Sequence, residues 1–222
     1  MCNLYSMTRS RDAIRQLFGV GRDATANQPP LPAIFPDQMA PIIRVDRDGT
    51  RVMEAMRWGF PPPPTLGTRP VTNVRNTASP YWRGWLKPAF RCLVPATAFC
   101  EYTDGQPKVA HWFALAPERP PFAFAGIWRP WTGTRKGEAG EHRLFAFLTT
   151  EPNDLVRPVH AKAMPVLLTE TEWDTWLAAD TPAALRLQQP FPAGRLTIVA
   201  TGPRQDDGQP MPPALTPGRL PL

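Results

Sequence analysis

A cysteine directly follows the first methionine in Met1-Cys2-Asn3-Leu4-Tyr5. Loss of Met1 would leave Cys2 with a free α-amine beside its thiol, a 1,2-aminothiol that traps aldehydes as no internal cysteine can. The amine condenses to a Schiff base, the thiolate attacks the same carbon, and a five-membered thiazolidine closes. Ordinary pKa values of about 7.7 to 8.0 for the amine and about 8.5 for the thiol give both groups useful nucleophilic fractions near neutral pH. On position alone the plainer reading is the stronger one: a small hydrophobe that packs inside or merely makes Met1 removable. The remainder of the chain reverses that balance.

The other candidates are polar residues set where apolar ones are expected. Glu101 lies in Phe99-Cys100-Glu101-Tyr102, a strand-like run whose neighbours favour burial. A buried, unpaired carboxylate is costly, so its pKa is expected to rise toward the acid/base range, unless the residue is an edge-strand Glu facing water. His160, in Pro158-Val159-His160-Ala161-Lys162, stands at a loop-to-strand junction. An imidazole there can shuttle protons near pH 7, although a lone histidine is more often structural. His111 and His142 have weaker contexts. Asn73 and Arg75 share one side of any extended segment through Val71-Thr72-Asn73-Val74-Arg75. An amide donor beside a guanidinium could hold an oxyanion or sugar oxygen together with a phosphate. A turn stabilised by Asn and capped by Arg accounts for the same residues equally well.

These residues need elements to position them. Ser10 caps a short helix whose Ile14, Leu17 and Phe18 share a face, with Gly19 ending it. Residues 21–41 are proline-rich and polar and read as a surface excursion. A hairpin follows over 42–45 and 52–60, turning at Asp48-Gly49. Ser79-Pro80 opens a short helix with Trp82, Trp85 and Leu86. Residues 91–94, 99–102, 111–115, 122–128, 144–149, 164–168 and 196–200 are short, β-leaning apolar runs between turns. Thr169 with Glu172 makes a capping box before Trp173, Trp176 and Leu177, and Thr181-Pro182 starts another helix. Strands with few, peripheral helices predict an α+β fold of antiparallel sheets in one domain over 1–222, irregular from about 203.

The 222 residues, 42% of them hydrophobic, suffice for a sizeable core, and the 30 prolines are scattered as punctuation. No charged-then-apolar leader and no apolar run of about 18 to 20 residues is present, so no membrane partner and a cytoplasmic location are expected. Cys2, Cys92 and Cys100 make an odd count without CxxC spacing, which argues against a disulfide framework and against a metal site. The net charge of +6 is mild support for a polyanionic partner. The arginines are spread out, so charge alone leaves nucleic-acid binding at even odds.

Met1-Cys2, Arg57-Trp58-Gly59-Phe60-Pro61, Asn73-Val74-Arg75, the run from Arg91-Cys92-Leu93-Val94-Pro95 to Cys100-Glu101-Tyr102, Phe124-Ala125-Gly126-Ile127-Trp128, Leu148-Thr149-Thr150 and His160 before Met164-Pro165-Val166 resemble the SOS response-associated peptidase family in order and spacing. The resemblance implies an α+β domain with barrel-like sheets, without a cofactor, acting as a monomer. It implies a protein that binds single-stranded DNA, crosslinks itself to abasic sites and releases its own Met1. Carried over by position, Cys2 is the nucleophile, Asn73 stabilises the bound ring, Glu101 is the acid/base and His160 helps open the deoxyribose to its aldehyde. Arg75, Trp58 and Thr149 are implied as DNA contacts. The family commonly begins Cys-Gly-Arg, whereas Asn3 and Leu4 stand here. Two rival functions fit parts of the chain. One is an N-terminal-nucleophile amidase acting in trans; the other is a non-catalytic single-strand-binding module stacking bases on Trp58, Trp82 and Trp85, for which core packing is the favoured alternative.

Overall fold

In the computed structural model, which describes residues 2–25, 29–62, 67, 69–206 and 208, the chain runs β1 (Tyr5–Met7), α1 (Arg11–Leu17), β2 (Arg22–Asp23), β3 (Leu31–Ile34), β4 (Met39–Val45), β5 (Arg51–Trp58), β6 (Asn73–Val74), β7 (Arg91–Ala96), β8 (Ala98–Tyr102) and β9 (Ala110–Ala114). It continues through β10 (Phe122–Arg135), β11 (Glu138–Thr150), β12 (Met164–Pro165), β13 (Leu167–Leu168), α2 (Trp173–Ala178), α3 (Thr181–Leu185) and β14 (Thr197–Thr201).

Five strands close on themselves. β11 pairs antiparallel with β10, β10 with β7, β7 with β4 and β4 with β5. A parallel pairing of β5 with β11, at Leu144↔Arg57 and Phe145↔Trp58, completes the ring. Closure removes the free edges that an open sheet would expose. The interior is aromatic: Tyr5, Trp58, Phe124 and Phe147 are all fully enclosed, with Tyr5 edge-on to the other three rings at 5.1, 5.5 and 6.0 Å. Edge-to-face contacts suit the ring quadrupoles and fix orientation as well as burying area. A second, antiparallel sheet in the order β14-β9-β8-β1-β3 stands beside the barrel. Thr97 is the one residue between β7 in the barrel and β8 in this sheet.

The expected α+β class holds, with strands dominating. Three local expectations change. The stretch 21–41 is no loose excursion, because β2 pairs with β5 and β3 with β1. Residues 77–86 form successive turns and no helix; Trp82 bonds back to Ser79 and Trp85 to Trp82, and Gly84 and the flanking prolines disfavour a continuous helix. The run 164–168 splits at Val166 into β12, which pairs with β11, and β13, which pairs with β10. α3 starts at Thr181-Pro182 as expected, capped by Asp180, whose carboxylate accepts from Ala183 N. The anticipated irregular segment from about 203 lies largely outside the described residues, but Asp206 is fully buried. It pairs with Arg119 at 2.7 Å and accepts from Ser6 Oγ at 2.6 Å.

Candidate functional site

Cys2 enters the fold just ahead of β1. Pairing of β1 with β8 at Tyr5↔Phe99 is extended by Cys100 N donating to Leu4 O at 2.9 Å, which lays Cys2 along the Cys100-Glu101 end of β8. The thiol is fully buried and donates to Leu4 O at 3.4 Å and weakly to Cys100 O at 3.9 Å. Side chains alternate across β8. Phe99 packs into the barrel core, Cys100 into the small cluster with Leu4 and Trp112 on the other face, and Glu101 returns to the Cys2 side.

Glu101 is buried, and its Oε1 has no partner among the described residues. Burial pushes its carboxyl up to about 8, against a smaller opposing pull from the positive amino terminus. It therefore carries a proton at neutral pH. Burial also raises the Cys2 thiol well above its ordinary range, and the negative charge of an ionised Glu101 adds to that rise. With Met1 in place both groups rest protonated.

Asn73 arrives from the opposite direction. β5 ends at Gly59, whose φ of +122° and lack of a side chain let the backbone turn sharply where a Cβ would meet Pro70 at 2.7 Å. The bridge Phe60↔Val71 then brings the chain back, and β6 pairs with β11 at Phe147↔Asn73. There Asn73 Nδ2 donates to Cys2 O and to Thr72 Oγ1, both at 2.8 Å. Asn73 thus contacts Cys2, and buried Glu101 lies close enough to act electrostatically on the Cys2 thiol.

His160 is half-buried at the end of a turn in which Asn153 Oδ1 accepts from Leu155 N and Val156 N, and His160 N donates to Val156 O at 2.8 Å. Burial lowers its pKa first, then the positive amino terminus. Lys162 and Lys108 push the same way and Asp104 opposes them, so the ring is neutral near pH 7.

Arg75 is exposed, loosely held by Lys162 O at 3.5 Å and Glu151 at 3.6 Å. Its contact with Lys162 O sets it near the chain segment that follows His160. Two of the implied DNA contacts are not at the surface. Trp58 is enclosed in the barrel, stacked on Phe147 at 5.2 Å with its Nε1 donating to Thr72 O at 3.0 Å, so it cannot offer a face to a base. The stacking-platform reading fails for Trp82 too, which is buried against Phe60, while half-buried Trp85 lies beneath Arg129. Thr149 is likewise buried, its Oγ1 without a partner among the described residues. His111 and His142 bond to nearby backbone carbonyls. Among the described residues no group of three or more His, Cys, Asp or Glu could hold a metal ion.

Sequence reasoning missed Thr72 and Gln188. Gln188 Nε2 donates to Arg75 O and to Thr149 O, both at 2.9 Å, tying the DNA-side candidates together from a distant helix end. Nothing local marks Gln188. For Thr72 the available signal was its place beside Asn73 in a polar run.

A family model described as SOS response associated peptidase matches residues 1–203. The abasic site processing protein YoqW of Bacillus subtilis (strain 168) is 26% identical over 211 residues, spanning 87% of this chain and 88% of that one. The abasic site processing protein YoaM of the same strain is 27% identical over 194 residues, 80% of this chain and 79% of its own. A solved structure of a protein from Bordetella bronchiseptica superposes with a TM-score of 0.72 at 25% identity, covering 90% of this chain and 98% of that one. Another, from Bacteroides thetaiotaomicron, shares the fold with a TM-score of 0.70 at 22% identity, over 88% and 90% of the two chains.

Proposed function

This chain belongs to the SOS response associated peptidase family, and from that membership and the group around Cys2 we propose that it senses abasic sites in single-stranded DNA, releasing its own Met1 and then trapping the site as a thiazolidine on Cys2. The observation that carries the reading is the buried contact of Asn73 with the Cys2 carbonyl beside a carboxyl that is protonated at neutral pH. Relatives of similar length are named abasic site processing proteins.

Hydrolysis of the Met1–Cys2 peptide bond consumes one water and creates the α-amine. That amine adds to the open-chain aldehyde of the abasic deoxyribose, which neutral His160 helps release from its ring form. Glu101 gives its proton to the departing hydroxyl of the carbinolamine, so that water leaves and an iminium forms. The resulting carboxylate then takes the thiol proton as sulfur attacks the iminium carbon, closing the ring and restoring neutral Glu101. Arg75 contacts phosphate, which positions the strand without reading sequence.

A denaturing gel with an abasic single-stranded oligonucleotide tests this. The expected result is a heat-stable adduct absent from the undamaged strand, formed by protein whose intact mass lacks Met1. Cys2→Ala should abolish the adduct while reversible binding persists. No adduct at all, or equal crosslinking by protein that stably retains Met1, would overturn the mechanism.

A further inference from the structure

The Cys2 carbonyl can only accept a hydrogen bond, so the Asn73 atom 2.8 Å from it is the amide nitrogen. The second hydrogen of that nitrogen goes to Thr72 Oγ1, and the Thr72 hydroxyl donates onward to Asn3 Oδ1 at 3.3 Å. Both amide hydrogens are therefore committed. What remains is Asn73 Oδ1, buried and without a partner among the described residues. A bare buried acceptor is unfavourable and calls for an explanation.

We infer that Thr72, with Asn3 behind it, fixes the polarity of the Asn73 amide, so that Asn73 meets the reacting nitrogen of Cys2 as a hydrogen-bond acceptor and not as a donor. The inference rests on the crosslinking reaction proposed above. The direction matters chemically. An acceptor beside the Cys2 amine takes one of its N–H bonds and leaves the nitrogen lone pair free to attack the aldehyde. A donor in that place would engage the lone pair and hold the amine unreactive. The same acceptor suits the N–H of the iminium and of the finished ring. Thr72 and Asn3 touch neither thiol nor substrate in this scheme; they are positioning residues. The backbone of Thr72 is itself held by Trp58 Nε1 on its carbonyl.

Thr72→Val keeps the side-chain shape and removes the hydroxyl. The rate of adduct formation is expected to fall roughly tenfold, as for loss of one buried hydrogen bond, with affinity for undamaged single strands unchanged. Thr72→Ser should restore most of the rate. Asn3→Ala should give a smaller loss in the same direction, because exposed Asn3 can be replaced by water; it also keeps the question open should Thr72→Val not fold. A wild-type rate in Thr72→Val, with Asn73→Ala slow, overturns the relay and leaves the crosslinking reading intact. Absence of adduct from the wild-type protein overturns that reading instead. The amide is then decided directly by ¹H–¹⁵N spectra: slow solvent exchange of the Asn73 Nδ2 protons in the wild type, accelerated in Thr72→Val, supports the relay, and fast exchange in the wild type refutes it.

Discussion

Glu101 holds its proton in a place where the unfolded chain would release it. Its folded pKa of about 8 lies above the ordinary 4.5, so its contribution to stability is complete below about pH 4.5 and is lost as pH rises through about 8. Glu101→Gln, neutral at every pH, should therefore flatten the decline in melting temperature between pH 5 and pH 8 and melt above the wild type at the alkaline end. The same variant should slow both Met1 release and adduct formation, whereas His160→Ala should slow only the adduct. Crosslinking at the wild-type rate by Glu101→Gln would make the carboxyl structural. On the proposed reading, exposed and weakly paired Arg75 contacts phosphate: Arg75→Ala should weaken affinity for single strands of every sequence and make the salt slope shallower by about one unit or less, and a titration at several salt concentrations reads it. Glu101 was legible because a carboxylate between apolar neighbours is conspicuous. Thr72 was not, because its meaning depends on Asn3, far away in the chain. Trp58 was misread because its direction is set by closure of the barrel.

Among the elements, β10 packs closely on β7. A Cβ on Gly126 would meet Val94 Cγ2 at 2.7 Å and Cys92 Sγ at 2.8 Å on the paired strand β7. Trp176 of α2 closes over the same point, its Nε1 donating to Cys92 O and Gly126 O. Gly126→Ala should destabilise the fold by about 1–3 kcal/mol through overpacking, measured by denaturant unfolding, and Val94→Ala in the same chain should recover part of it. Failure of the pair to recover would place the strain elsewhere. Local chemistry made many elements readable: Ser10 accepts from Ala13 N to start α1, Glu172 reaches back to Thr169 N in the capping box, and Asp48-Gly49 turns β4 into β5. Short β2, β3 and β6 escaped notice because two to four residues carry no period, and only pairing partners define them.

At the scale of the molecule, the barrel and the flanking sheet meet along β1, and the buried pair Arg119–Asp206 holds the far side of that strand. The two side chains are 2% and 0% exposed. Asp206→Ala leaves a guanidinium buried without its counter-charge and should cost about 3–5 kcal/mol, seen as a lowered denaturation midpoint. Asp206→Ala combined with Arg119→Met should recover much of the loss, and additive damage in the double variant would contradict the coupling. The sequence pattern led to the α+β class but not to the ring, since the parallel β5–β11 contact joins residues almost ninety positions apart.

Ser6 and Asp206 lie 200 positions apart in the chain, and a ribosome makes them in that order. The strand that presents Cys2 therefore waits, through synthesis of the 200 residues that follow Ser6, for an acidic partner that does not yet exist. Its polar neighbours Ser6 and Thr97 are both synthesised before the carboxylate that completes them. On the crosslinking reading proposed above, a Met1 release that needs the settled strand would follow synthesis of Asp206, leaving Cys2 capped until then. Stalled chains truncated before Asp206 should retain Met1 longer than chains extended past it, a difference that mass spectrometry of the two can read.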